Sequence, residues 1–106
     1  MLVDSMLAVR AKLFRGLADP SRLAILEALR PGPLSVTDIT ERTGLTQSNT
    51  SMHLACLRDC GLVVSESRGR YVLYSLAPYG VEDLLGAADD LLARTGENIA
   101  ACRRTP

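Results

Sequence analysis

Near the start of the chain, apolar side chains return at helical spacing: Met6, Val9, Leu13 and Leu17, with Leu7 and Phe14 broadening the stripe. The pattern predicts a first helix from Ser5 to Ala18. Asp19 can cap the next helix, and Pro20 suits its first position, where a missing N–H is not needed. That second helix, SRLAILEALR, is expected to bury Leu23, Leu26 and Leu29 and to stop at Pro31 to Pro33. A short helix follows from Ser35 or Thr37, with Ile39 inward and Gly44 closing it as a C-terminal cap. Leu45 and Thr46 turn the chain, and QSNTSMHLACLRDC continues as a helix to Gly61. Two short helices joined by a glycine turn form a helix-turn-helix pattern.

Past Gly61 the period falls from 3.6 to two. LVVSES and RYVLYSL alternate, are rich in valine and tyrosine, and meet at Arg68-Gly69, which predicts a β-hairpin. VEDLLGAADDLLART returns to helical spacing, apolar at Val81, Leu84, Leu85, Ala88, Leu91 and Leu92. The expected fold class is therefore mainly α with a small β-hairpin. Residues 1–95 form one domain, and residues 96–106 a loose tail. The first and last helices carry more apolar surface than so short a chain can cover by itself. A second copy is the natural cover.

Composition narrows the functional classes. The chain has 106 residues, and twelve acids balance twelve bases, so no global field points to nucleic acid. No apolar run is long enough to span a bilayer, and MLVDSMLAVRAK carries acid and base where a signal peptide needs an unbroken apolar stretch. A cytoplasmic protein without a membrane partner is expected. No acid/base pair, phosphate loop or catalytic triad is visible, and nothing calls for an organic cofactor, so an enzyme is not expected.

The three cysteines are too few for a disulfide scaffold. Cys56 and Cys60 stand four apart, with Cβ atoms roughly 5–6 Å apart on one helical face. A disulfide prefers ~3.8 Å, so oxidation of the pair would distort the helix. Convergence on a large soft cation would not. Gly61 marks the helix end, where carbonyls and the macrodipole favour a cation and disfavour a bare thiolate. Cys102 is the one remaining thiol, which suggests a three-thiolate metal site of Cys56, Cys60 and Cys102. Three sulfurs suit cadmium or lead; zinc normally takes a fourth ligand. The plainer alternative is that Cys56 and Cys60 pack as small apolar residues.

The same helix opens on Gln47, Ser48, Asn49, Thr50 and Ser51, a poor composition for burial. Gln and Asn pair bidentately with adenine, and hydroxyls meet base edges or phosphates. Arg68 and Arg70 flank the hairpin glycine, where they suit a phosphate backbone. On spacing alone these residues read equally well as a solvated polar face. Asn49, His53, Cys56 and Cys60 share one stripe along the helix, so His53 is a further candidate ligand or a pH-sensitive group.

Three stretches carry a resemblance: LADPSRLAIL at Leu17 to Leu26, LTQSNTSMHLACLRDCGLV at Leu45 to Val63, and RGRYVLYSL at Arg68 to Leu76. Together they resemble the winged helix-turn-helix repressors of the ArsR/SmtB family over nearly the whole chain. The resemblance implies a homodimer joined through its first and last helices. It further implies binding to a palindromic operator DNA through Gln47, Ser48, Asn49, Thr50, His53, Arg68 and Arg70, and release by a metal or other effector. Thiols at the start of the first helix of the helix-turn-helix are absent, with Ser35 and Asp38 in their place, and no histidine follows His53. What remains is similar to the cadmium- and lead-sensing, CmtR-like subgroup, in which a Cys-x-x-x-Cys pair late in the recognition helix is completed by a C-terminal cysteine of the other protomer. Cys56, Cys60 and Cys102 occupy those places. An arsenite- or redox-responsive repressor using the same thiols is the alternative within the class. A thiol metal buffer or chaperone without DNA binding is the alternative outside it.

Overall fold

The computed structural model describes residues 2–104. In chain order the elements are α1 (Leu2–Ala18), α2 (Pro20–Leu29), α3 (Val36–Thr43), α4 (Gln47–Asp59), β1 (Val63–Arg68), β2 (Tyr71–Leu76) and α5 (Val81–Ala101). Short polar side chains open the three inner helices. Asp19 Oδ2 accepts from the Arg22 N–H at 2.9 Å, and Pro20 takes the first position of α2. Ser35, rather than Thr37, caps α3, its Oγ accepting from the Asp38 N–H at 3.2 Å. Thr46 Oγ1 accepts from the Asn49 N–H at 3.1 Å and opens α4. Gly44 ends α3 with a φ of +76°, a left-handed conformation in which any Cβ would be strained. That glycine turn fixes the angle at which α4 leaves α3.

The core forms around α2, which packs against α1, α3, α4 and β2. Ile25, Leu26 and Leu29 meet Ile39 of α3, Leu54 and Leu57 of α4 and Val63 of β1, all fully or almost fully buried. Leu34, Ala77, Val81 and Leu85 complete the cluster. One expectation is corrected here. Leu23 is exposed and Ile25 is buried in its place, because the run Leu23-Ala24-Ile25-Leu26 offers the core two possible phases.

The hairpin pairs Val63 with Leu76 through to Arg68 with Tyr71, antiparallel. Its turn is Gly69-Arg70, one residue later than expected, with Gly69 at φ +61°. Two further bonds fasten its base. The Leu34 N–H donates to the Tyr74 carbonyl at 3.0 Å, and the Tyr74 N–H to the Leu34 carbonyl at 2.8 Å. Helix-turn-helix and hairpin together make a winged helix-turn-helix.

The outer helices are longer than their sequence signals. α1 already begins at Leu2. The segment from Gly96, expected as a loose tail, starts as helix: α5 runs through that glycine to Ala101, with Cys102 as its cap. A glycine inside a helix costs only about 1 kcal/mol against alanine, and Glu97 to Ala101 continue the helix past it. Residues 105–106 of that segment lie outside the described residues. Arg30 at the end of α2 reaches across to α5, with Nε 2.8 Å from Glu82 Oε2 and Nη2 2.8 Å from Asp89 Oδ2, while Nη1 holds Glu27 at 2.9 Å. Beyond Val81 and Leu85, however, α5 shows Leu91, Leu92 and Ile99 to solvent. On α1, Met6, Leu7, Val9 and Phe14 are each more than half exposed. The radius of gyration, 15.3 Å, exceeds the ~13 Å of a compact domain this size because these helices project. Among the described residues no helix is long and apolar enough to cross a membrane.

Candidate DNA-reading face and thiol site

α4 presents two chemistries, one at each end. Its first turn exposes Gln47, Ser48 and Asn49, followed by Ser51 and Met52. The first three and Ser51 carry amide and hydroxyl groups of the kind that pair with base edges. Thr50 does not belong with them. It is fully buried, and its Oγ1 donates to the Thr46 carbonyl at 2.8 Å. The α-helical turn carries residue 50 onto the face that packs against the core, and the bond to the carbonyl four residues back satisfies its hydroxyl. The expectation that Thr50 touches DNA is corrected accordingly.

Arg68 and Arg70 both lie exposed at the hairpin tip. Arg68 Nε is 3.3 Å from Glu66 Oε1, with both side chains 67% exposed, a pair that water and salt largely screen. The tip thus remains a place for phosphate contact.

His53 is half-buried one turn further along α4, beside the junction of α1 and α2. That junction holds Asp19, whose carboxylate lies below its ordinary range. The Arg22 N–H bond is the main cause, and the nearby charges of Arg22 and His53 act in the same direction.

At the far end of α4, Cys56 and Cys60 are both exposed. Cys60 is the helix cap, its N–H bonded to the Cys56 carbonyl at 3.0 Å, and it borders a shallow cleft with Val9, Leu13 and Gly16 of α1. Cys56 Sγ accepts from Arg22 Nη1 at 3.7 Å. Arg22 was not among the residues expected from sequence to matter. One signal marks it: a base in the first turn of a helix opposes the macrodipole, so its side chain needs compensation elsewhere.

Cys102 is exposed at the end of α5. The three thiols do not come together within one chain, for among the described residues no three His, Cys, Asp or Glu side chains converge closely enough to hold a metal ion. The donors at the end of α4 still fit a soft cation. Two exposed sulfurs share one face at a carbonyl-rich helix end, with room around them for a ligand from elsewhere.

The family of bacterial regulatory proteins described as the arsR family matches residues 19–65, from the α2 cap into β1. A probable mercury resistance operon repressor of Streptomyces lividans is 36% identical over 96 residues, which cover 91% of this chain and 77% of the relative. The transcriptional regulator CmtR of Mycobacterium tuberculosis is 49% identical over 76 residues, 72% of this chain and 64% of that protein. Its NMR structure, described as that of a cadmium metal-sensor, matches with a TM-score of 0.63 at 48% identity, covering 73% of this chain and 80% of that one. The homodimeric winged helix-turn-helix domain of Mb0332 from Mycobacterium bovis matches with a TM-score of 0.76 at 25% identity, covering 97% and 93%. These relatives are named as regulators of transcription, not as enzymes.

Proposed function

Starting from a chain that belongs to the arsR family of bacterial regulatory proteins, we propose that it is a cytoplasmic, homodimeric repressor that leaves its operator DNA when a soft metal ion, cadmium or lead, is bound by cysteine thiolates. One observation carries the reading: α4 exposes Gln47, Ser48 and Asn49 at one end and the Cys56 and Cys60 thiols at the other. A single rigid helix therefore serves both the DNA and the effector.

Gln47, Ser48 and Asn49 enter the major groove, and Arg68 and Arg70 lie along the flanking phosphates. The exposed apolar positions of α1 and α5 are covered by a second copy, which sets the spacing of two α4 helices on a palindromic site. The homodimeric relative of similar fold supports this. Cys56 and Cys60 supply two sulfur ligands. Cys102 supplies the third from the second copy, since one chain does not bring it to the other two. All-sulfur coordination selects soft ions over magnesium, calcium or manganese. The relatives named for mercury resistance and for cadmium sensing support this chemistry. Coupling of ~1–3 kcal/mol per site, about 5–150-fold in DNA affinity, is the usual scale.

The test is ultraviolet titration of the reduced protein with cadmium, following sulfur-to-metal charge transfer, in the wild type and in C56S, C60S and C102S. Each substitution is expected to weaken the band and to blunt cadmium-driven release of DNA. A protein with all three cysteines replaced that still released its DNA with cadmium would refute the proposal.

A further inference from the structure

We infer that Arg22 is the positioning residue that couples the thiols of α4 to the outer helix α1: its guanidinium holds Cys56 when the site carries no metal and is displaced from it by a bound metal. This rests on the metal-responsive reading above and adds a residue that does not itself ligate metal.

Arg22 makes three contacts, each to a different part of the molecule. Its backbone N–H is fixed by Asp19 Oδ2 at 2.9 Å. Its Nε donates to the Gly16 carbonyl in the last turn of α1 at 3.0 Å. Its Nη1 donates to Cys56 Sγ at 3.7 Å. The Gly16 carbonyl is among the last four of α1, which have no partner within the helix. One planar side chain thus joins the end of α1, the start of α2 and the thiol end of α4.

Arginine has five donors and no acceptor, so it can engage sulfur only through the sulfur lone pairs. A metal ion draws on those same lone pairs. Guanidinium and metal also carry charge of the same sign, so each weakens the other's hold on Cys56. Arg22 therefore stands in for the cation in the metal-free protein. Its departure from Cys56 removes the hydrogen bond that ties α4, through Arg22, to the end of α1, and α1 is an outer helix with four apolar side chains awaiting a partner. Two alternative partners for one thiol supply the two states that a coupling between sites requires.

The experiment uses full-length dimer and a DNA duplex selected from a random pool by the wild-type protein. DNA affinity is read by fluorescence anisotropy with and without cadmium, and cadmium affinity by competition followed through the charge-transfer band. In R22Q, metal-free DNA affinity is expected to fall toward the cadmium-bound value. The cadmium-driven change then shrinks from the usual ~5–150-fold to about twofold or less. Cadmium is expected to bind R22Q more tightly, because no guanidinium competes for Cys56. R22K, which keeps the charge without the fork, behaves as R22Q. C56A, at an exposed position, lowers metal-free DNA affinity by the same factor as R22Q, and the double variant loses no more than either alone. The inference is overturned if metal-free C56A binds DNA like the wild type, or if the two losses add. It is equally overturned if R22Q keeps the wild-type cadmium affinity and release ratio. The metal-free arms involve no metal, so they judge the Arg22–Cys56 contact even if wild-type protein shows no charge transfer and the metal reading itself fails.

Discussion

The centre of the molecule and its two outer helices solve the burial problem differently. α2, α3, α4 and the base of the hairpin place most of their large apolar side chains inside, Leu23 and Met52 excepted, with Ile25, Leu26, Leu29, Ile39, Leu54 and Leu57 at most 2% exposed. α1 and α5 leave Met6, Val9, Phe14, Leu91 and Leu92 roughly half or more exposed. The centre is therefore a finished core, whereas the periphery is half of one. Folding of a single chain depends on the first; in the proposed function, assembly with a second copy and the spacing of paired reading helices depend on the second.

The sharpest way to break this contrast is truncation. L26A is expected to lower stability by ~2–5 kcal/mol, the cost of a cavity in a packed core. L7A is expected to leave the stability of the isolated chain within about 0.5 kcal/mol but to raise the dimer dissociation constant. Urea melts at low protein concentration and sedimentation at several concentrations separate the two effects. A large stability loss from L7A in monomeric protein would show that the outer helix belongs to the core after all.

The next probe loosens the joint between the regions. Arg30 bridges Glu27, Glu82 and Asp89, and these three carboxylates push its already high pKa further up, so it stays charged. R30A is expected to speed amide exchange in the first turns of α5 and to leave exchange in α2 and α4 nearly unchanged. Unchanged exchange in α5 would mean that burial of Val81 and Leu85 alone holds the helix.

The smallest effect concerns the cap between α1 and α2. Asp19 has a folded-state pKa below its ordinary 3.8, first because it accepts the Arg22 N–H and then through the nearby charges. A depressed carboxylate contributes stability that is present above the unfolded pKa and is lost as pH falls through the folded value. D19N keeps a capping side chain without the charge, so wild type should exceed it modestly at neutral pH. The gap should close as the solution is acidified below 3.8. Melting both proteins across that range measures it, and a constant gap would contradict the assignment.

These regions also differ in how well they can be read from sequence. The centre is legible where chemistry is local: Ser35 and Gly44 announce the ends of α3 by capping and left-handed preference, and alternation from Leu62 onward announces the hairpin. It is illegible where apolar residues adjoin, as at Leu23 and Ile25, since both phases of α2 look equally apolar. Thr50 misleads because a polar residue in a polar run can still point inward once its hydroxyl bonds the preceding turn. The periphery misleads at Gly96, where a residue that commonly ends helices sits inside one. The contact of Arg22 with Cys56 joins positions 34 apart, and no spacing rule connects them. The two-sulfur pair was visible from its period, but its separation from Cys102 within one chain is a tertiary fact.

The paired bonds between Leu34 and Tyr74 have a mechanical consequence. They weld the wing to the loop that precedes α3, so the hairpin cannot swing as a free flap. Arg68 and Arg70 then sit at the tip of a lever whose fulcrum is that weld: in the proposed DNA complex a small rotation of the whole head would be magnified at the fingertips, and grip on the sugar–phosphate rail would be gained or lost together with the reading helix rather than after it.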